Sequence, residues 1–395
     1  MVGPVPALTI LFAALSDAAY AGVTGCLLAA RWLAYSSPGT NSVRPRSLVR
    51  LYRASLAALI ICHIVRPWIA AASMSGSIGF TSNLALIPTI LSSTHVGRVW
   101  YSNSLAVVAL VAATLLTARV NRRVATWPFV SALILMAAAK AASGHPAGAG
   151  DFSLPEISMF FHFLSVAVWS GIIIASGLVV LPYLARSSDH DALWRYGRIL
   201  SRTITCTLPV ILLSGIYISY HQLNGTLSGL WCSGWGKILI AKLILVALAI
   251  ALGALTRFTC VQCPPTSRRA ALMVRLVRVE ATIMILILCV SGLLANTAPA
   301  MDSASGRAEG SDREHSVVRM APKLFKAPSQ LSYIIDAASM SYSHHCPGLP
   351  PCADAASFGA FSHPRSPETH ETFLSRGAKH PPRRYHATAR WMVCA

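Results

Sequence analysis

The segment ILIAKLILVALAIALGAL, residues 238–255, decides the fold, because its only charged residue is Lys242. A helix needs about 20 mainly apolar residues to cross about 30 Å of hydrocarbon, and this segment with its flanks is long enough. The whole chain shares this character: 54% of its 395 residues are hydrophobic and 12% are charged, whereas about a quarter of a soluble domain is charged. The sequence therefore predicts an all-α protein whose solvent is the bilayer.

Similar apolar segments recur along the first three quarters of the chain and predict a polytopic transmembrane helical bundle of about eight spans. The predicted spans cover residues 6–31, 48–72, 99–120, 124–143, 157–181, 200–221, 235–257 and 274–296. A further segment, residues 80–94, is mildly apolar but contains Pro88 and is too short to cross. We expect it at the outer surface of the membrane.

The basic residues predict the orientation of the bundle, because cytoplasmic loops are enriched in Lys and Arg. The odd-numbered connections between spans carry 17 arginines, and the even-numbered ones carry only Arg66, Arg98, Lys140 and Lys237. This alternation places both termini outside the cytoplasm. It also accounts for the formal net charge of +19, so the charge is no reason to expect a nucleic-acid partner.

Residues 300–395 differ from the rest of the chain. They are rich in Ser, Pro, His and Arg and show little hydrophobic periodicity. Such a segment buries too little apolar surface to offset the entropy lost on ordering. We therefore expect a transmembrane domain over residues 1–299 and a disordered extracytoplasmic tail over residues 300–395.

Histidines are the candidate metal ligands. Of the six outside the tail, five fall at the outer membrane boundary in the predicted topology: His63, His95, His145, His162 and His221. Met159 lies three residues before His162 and so on the same helical face. Imidazole and thioether are suitable copper ligands. The group therefore predicts a copper site in the outer leaflet, although any one of these histidines taken alone fits an interfacial hydrogen-bonding residue better.

Three other ionisable residues fall within predicted spans. Asp17 is either a relay or counter-ion, or a partner in an interhelical hydrogen bond. We expect Lys242 to extend towards the interface and Glu280 to be structural. Cys260 and Cys263 form a CxxC pair that could receive Cu(I), but a lone CxxC is a weak signal.

Several short motifs resemble the copper resistance protein D family. They are SGH at residues 143–145, FHF at 161–163, VWSG at 168–171, GKILIAKL at 236–243 and NTAP at 296–299. Their order and spacing carry the resemblance, with Pro146 and Ser170 departing from the family pattern. The resemblance implies an inner-membrane protein that handles copper and carries it towards the cytoplasm. It also implies that His145 and His162 occupy family positions.

The sequence-based hypothesis is therefore copper transport or uptake across the bacterial inner membrane. The expected partners are the lipid bilayer, the copper ion and a periplasmic copper-binding protein. The chain shows no Gly-rich phosphate loop, and we expect no enzymatic activity. Two alternatives remain open: a b-type cytochrome with paired histidines as haem ligands, and a membrane copper chaperone for oxidase assembly.

Overall fold

The computed structural model describes residues 4–36, 45–116, 126–143, 152–187, 190–223, 227–262 and 266–297. These residues form helices joined by turns, with no strand among them. The helices are α1 Pro4–Ser36, α2 Arg46–Ser75, α3 Phe80–Ser93, α4 His95–Leu116, α5 Thr126–Ala142, α6 Leu154–Ala175, α7 Leu181–Arg186, α8 His190–Gln222, α9 Ser228–Cys232, α10 Gly234–Thr256 and α11 Ser267–Ala295. A π-helical turn, Ser176–Val180, joins α6 to α7, and a second one, Arg257–Val261, extends α10.

Seven of the helical segments in the described residues are long and apolar enough to cross a membrane. They are α1, α2, α4, α6 with α7, α8, α10 and α11. The predicted all-α polytopic bundle is thus confirmed, and the chain is a multi-pass membrane protein. The other predicted span, residues 124–143, corresponds to α5, whose 17 residues match the shortest spans, of about 17 residues.

Two helices extend well beyond their predicted spans. We expected a loop between residues 181 and 200, but α7 continues the helix to Arg186 and α8 begins at His190. At about 1.5 Å per residue, the 33 residues of α8 reach about 50 Å, more than the bilayer core requires. The extension is helical because Leu193 and Tyr196 are fully buried in the main core. Arg195 adds a hydrogen bond from Nε to the Ser36 carbonyl, at 2.8 Å.

Local sequence signals set the helix ends near the candidate site. The Ser153 hydroxyl caps α6 by accepting a hydrogen bond from the Glu156 amide at 3.4 Å. The Glu156 carboxylate accepts one from the Phe152 amide at 2.6 Å. This is a variant of the capping-box pattern, in which Ser and Glu lie three residues apart. It fixes the start of α6 and places His162 about two turns inside the helix.

Helices α1 and α6 meet at the centre of the bundle through glycines. Gly25 packs directly against the backbone of Gly171, and Gly171 packs against the carbonyl of Ala21. A side chain at either glycine would overlap the other helix, so the close approach requires both. One apolar cluster joins α1 and α6 to α8 and α11, and a second joins them to α2, α4 and α5.

Candidate functional site

A polar cleft lies among α1, α2, α4, α5 and α6. Its empty volume is about 420 Å³, including the space at its open mouth. Its ionisable and amide side chains are Asp17, Cys62, His63, Arg66, Asn103 and Lys140. Tyr20 and Phe163 close one wall, with stacked rings whose centroids are 5.1 Å apart. The Tyr20 hydroxyl donates to the Leu133 carbonyl at 2.7 Å, which ties α1 to α5.

An ion pair crosses this cleft. Lys140 Nζ lies 2.8 Å from Asp17 Oδ1, and the side chains are 24% and 11% exposed respectively. The contact is an ion pair without hydrogen-bond geometry, since Asp17 Oδ1 has no hydrogen-bond partner among the described residues. Lys140 Nζ also lies 5.5 Å from the centre of the Phe163 ring. Of the roles considered for Asp17, the structure therefore supports that of a counter-ion.

His63 has a protein partner at each ring nitrogen. Its Nε2 lies 2.8 Å from Ser104 Oγ, and its Nδ1 lies 3.1 Å from the Asn103 amide nitrogen. Because the Ser104 hydroxyl donates to the Trp100 carbonyl, Nε2–H donates to Ser104 and Nδ1 accepts from Asn103. Trp100 stacks on the imidazole at 5.0 Å and donates from Nε1 to the His63 carbonyl. A metal could reach Nδ1 only if the Asn103 side chain turned away.

His162 has a different arrangement, in the interface of α6 with α8. Its Nδ1 lies 3.2 Å from the Ile211 carbonyl and 3.1 Å from Ser214 Oγ. A carbonyl can only accept, so Nδ1 carries the proton and Nε2 carries the lone pair. No hydrogen bond to Nε2 is present within the described part of the chain. Metal-binding histidines commonly donate their other ring N–H to a carbonyl in this way.

The remaining predicted ligands differ in position and exposure. His95 is exposed at the start of α4, His221 is half-buried in the last turn of α8, and Met159 is half-buried on α6. His145 and Cys263 lie outside the described residues, as does the tail. In the described ranges, no three or more His, Cys, Asp or Glu side chains form a group that could hold a metal ion. The predicted copper ligands therefore remain predictions.

Two contributions to the cleft were missed from the sequence. Lys140 was counted only as a loop charge, although a lysine close to an apolar span needs a counter-charge and Asp17 was available. Cys62, which is 4% exposed, lines the cleft together with His63 and Met136. Its position beside His63 in α2 was the available signal, because thiol, thioether and imidazole together are a soft donor set.

The fold and the cleft define a polytopic helical membrane protein with ionisable groups held between its spans. Two family models match this chain in separate regions. Copper resistance protein D-like, N-terminal domain, matches residues 4–152, and Copper resistance protein D matches residues 194–294. Together the two matches cover more than half of the chain, which belongs to the copper resistance protein D family. Comparison with curated proteins and with solved structures found no match.

Proposed function

We propose that this protein transports copper ions across the bacterial inner membrane and so contributes to copper homeostasis and resistance. The observation that carries this proposal is the family match over both parts of a bundle whose described residues include seven helices long and apolar enough to span a membrane. Copper is the substrate here. The predicted orientation, with basic connections in the cytoplasm, favours capture at the outer face and movement inward.

His162 is the best-supported copper ligand in the described residues. Its Nδ1–H is held by the Ile211 carbonyl, so in the neutral imidazole the Nε2 lone pair is available to bind a metal. Met159 lies one helical turn earlier on α6 and supplies a thioether. We propose that His145 joins these two residues, since it matches the same family pattern. His63, His95 and His221 are further candidates at the same predicted depth.

The cleft would provide a second binding site for the ion. Cys62, His63 and Met136 bring soft donors to its lining. A periplasmic copper-binding protein would deliver the ion to the outer face, where we also place the tail of residues 300–395. The transported ion would then pass inward between the helices without ATP hydrolysis and without any enzymatic step.

Copper accumulation in cells tests this proposal. Cells expressing the wild type should contain more copper than vector controls, and the double variant His145→Ala/His162→Ala should return to the vector level. His190→Ala, at the predicted cytoplasmic side, is the matched control and should behave like the wild type. Equal copper in wild-type and vector cells would refute transport. Equal copper in wild-type and double-variant cells would refute the two ligands, and a Soret band in purified protein would favour the haem alternative.

A further inference from the structure

A second acidic side chain is buried in the bundle, apart from the cleft. Glu280 lies near the middle of α11 and is 2% exposed. Its Oε1 is buried and makes no hydrogen bond to any described residue. In the described part of the chain the one ion pair is that of Asp17 with Lys140, so Glu280 has no basic partner there. A buried acid without a partner needs an explanation, because each such group destabilises the fold.

Glycines and a π-helical turn pack against the segment of α11 that carries Glu280. On α10, a Cβ added at Gly253 would lie 3.4 Å from Glu280 Oε1, so a glycine of α10 faces the carboxyl at close range. On α6, Gly177 in the π-helical turn packs against the Val277 carbonyl and Ala281, on the same side of α11. π-helical turns in long helices occur frequently at functional sites. The carboxyl thus faces α10, on the segment of α11 that also packs against this π-helical turn.

The titratable groups on the neighbouring helices are engaged elsewhere or distant. Tyr196 of α8 is hydrogen-bonded to Ser176 at 2.8 Å. Arg257, just after α10, donates to Thr205 at 2.6 Å. Lys242 precedes Gly253 by three helical turns, about 16 Å along α10.

The other charges near this level face away or are already neutralised. Arg278 is exposed on α11, two residues before Glu280. Cys26 of α1 and Cys260 of the second π-helical turn are buried free thiols. On α1, Asp17 is already neutralised by Lys140. No described cation therefore compensates a charge on Glu280, and a proton is the simplest cation that can do so.

We propose that Glu280 is a proton-exchange site through which this protein couples copper movement to proton movement in the opposite direction. The inference rests on the proposed copper transport. In the resting state the proton is bonded to a Glu280 carboxylate oxygen. As a Cu⁺ ion passes inward between α10, α11 and α6, the O–H bond breaks and the proton leaves outward. Charge balances one for one, since one positive charge enters, one leaves and nothing is oxidised or reduced.

The position of Glu280 supports reloading of the carboxyl with a proton from water on the cytoplasmic side. The arginines of α11 end at Arg278, so Glu280 lies in the first apolar turn beyond the predicted cytoplasmic boundary. A small separation of α10 from α11 at Gly253 would connect the carboxyl with that boundary. When α10 and α11 pack together again, the carboxyl would be shielded from water.

Reconstituted full-length protein tests the exchange. Liposomes carry a pH-sensitive dye inside, and Cu⁺ kept reduced with ascorbate is added outside while copper entry is measured in parallel. The wild type should raise the internal pH in step with copper entry. Glu280→Gln should show no pH change above that of protein-free liposomes, and Glu280→Asp should retain it. Asp191→Asn, an amide substitution at an exposed position in the first turn of α8, is the matched control and should resemble the wild type.

The outcomes separate the two proposals. If the wild type moves no copper, the proposed transport fails and the proton exchange fails with it. If the wild type moves copper while the internal pH stays constant or falls, proton exchange alone is overturned. Continued proton release by a folded Glu280→Gln variant, checked by its thermal unfolding, would also overturn the assignment to this residue.

Discussion

The ion pair between Asp17 and Lys140 should be a measurable source of stability. Removing either charge leaves the other in the cleft without its counter-ion, as in Asp17→Asn or Lys140→Met. Loss of one partner from a buried pair costs about 3–5 kcal/mol, and partial exposure of both side chains favours the lower end. Lys140→Met should be the milder change, because Arg66 also interacts electrostatically with Asp17.

The geometry sets the size of the coupling. At the separation of 2.8 Å, an effective dielectric constant of about 20 gives about 6 kcal/mol of Coulomb attraction. Desolvation and solvent screening offset most of this energy, and we expect a net coupling of about 2 kcal/mol. If each single variant loses about 3 kcal/mol, the double variant should then lose about 4 kcal/mol rather than the sum.

A double-mutant cycle measures this coupling. Reversible unfolding in mixed micelles with increasing denaturing detergent, followed by far-UV circular dichroism, gives the free energy of unfolding of each variant. Lys237→Met, which removes an exposed lysine at the start of α10, is the matched control and should change stability by less than about 0.5 kcal/mol. A coupling energy indistinguishable from zero would refute the reasoning, because the charges would then be independently solvated.

Three further outcomes follow from the packing and the predicted orientation. Gly171→Ala should lower the free energy of unfolding by at least about 1–3 kcal/mol, because the new methyl group overlaps the α1 backbone. Gly234→Ala is its control: a Cβ there meets nothing within 4 Å, so the variant should be nearly neutral in the same unfolding assay. Gly76→Ala should cost about 1 kcal/mol, because Gly76 has a φ of 66° at the end of α2. Two variants with a single cysteine each test the topology. With Ser187→Cys as its one cysteine, the protein should react with an impermeant maleimide only after the cells are permeabilised, whereas with Cys232 alone it should react in intact cells. The reverse pattern would contradict the predicted topology.

The sequence predicts the number and order of the long helices because hydropathy measures the transfer of each segment into hydrocarbon, a local property. It fails between α7 and α8, where helix continues past the predicted span. There Leu193, Trp194 and Tyr196 are buried by tertiary contacts, which a window over one segment does not detect. Helix boundaries therefore depended on packing between segments distant in sequence.

For the candidate site, the sequence predicts only the depth of each residue in the membrane. Loop charges and span lengths assign each histidine a depth in the membrane, but they do not say which neighbouring helix it faces. The structure directs His63 towards α4 and His162 towards α8, each with its own hydrogen-bond partners. The Asp17–Lys140 pair joins α1 to α5 across more than a hundred residues, and neither local periodicity nor composition encodes that contact.

The contact of Gly25 with Gly171 restricts how the bundle can move. Helices whose backbones touch have no side chains between them to rearrange, so neither can rotate or slide without losing the contact along its length. An opening between other helices of the bundle would leave this contact intact, so α1 and α6 are expected to move as one unit.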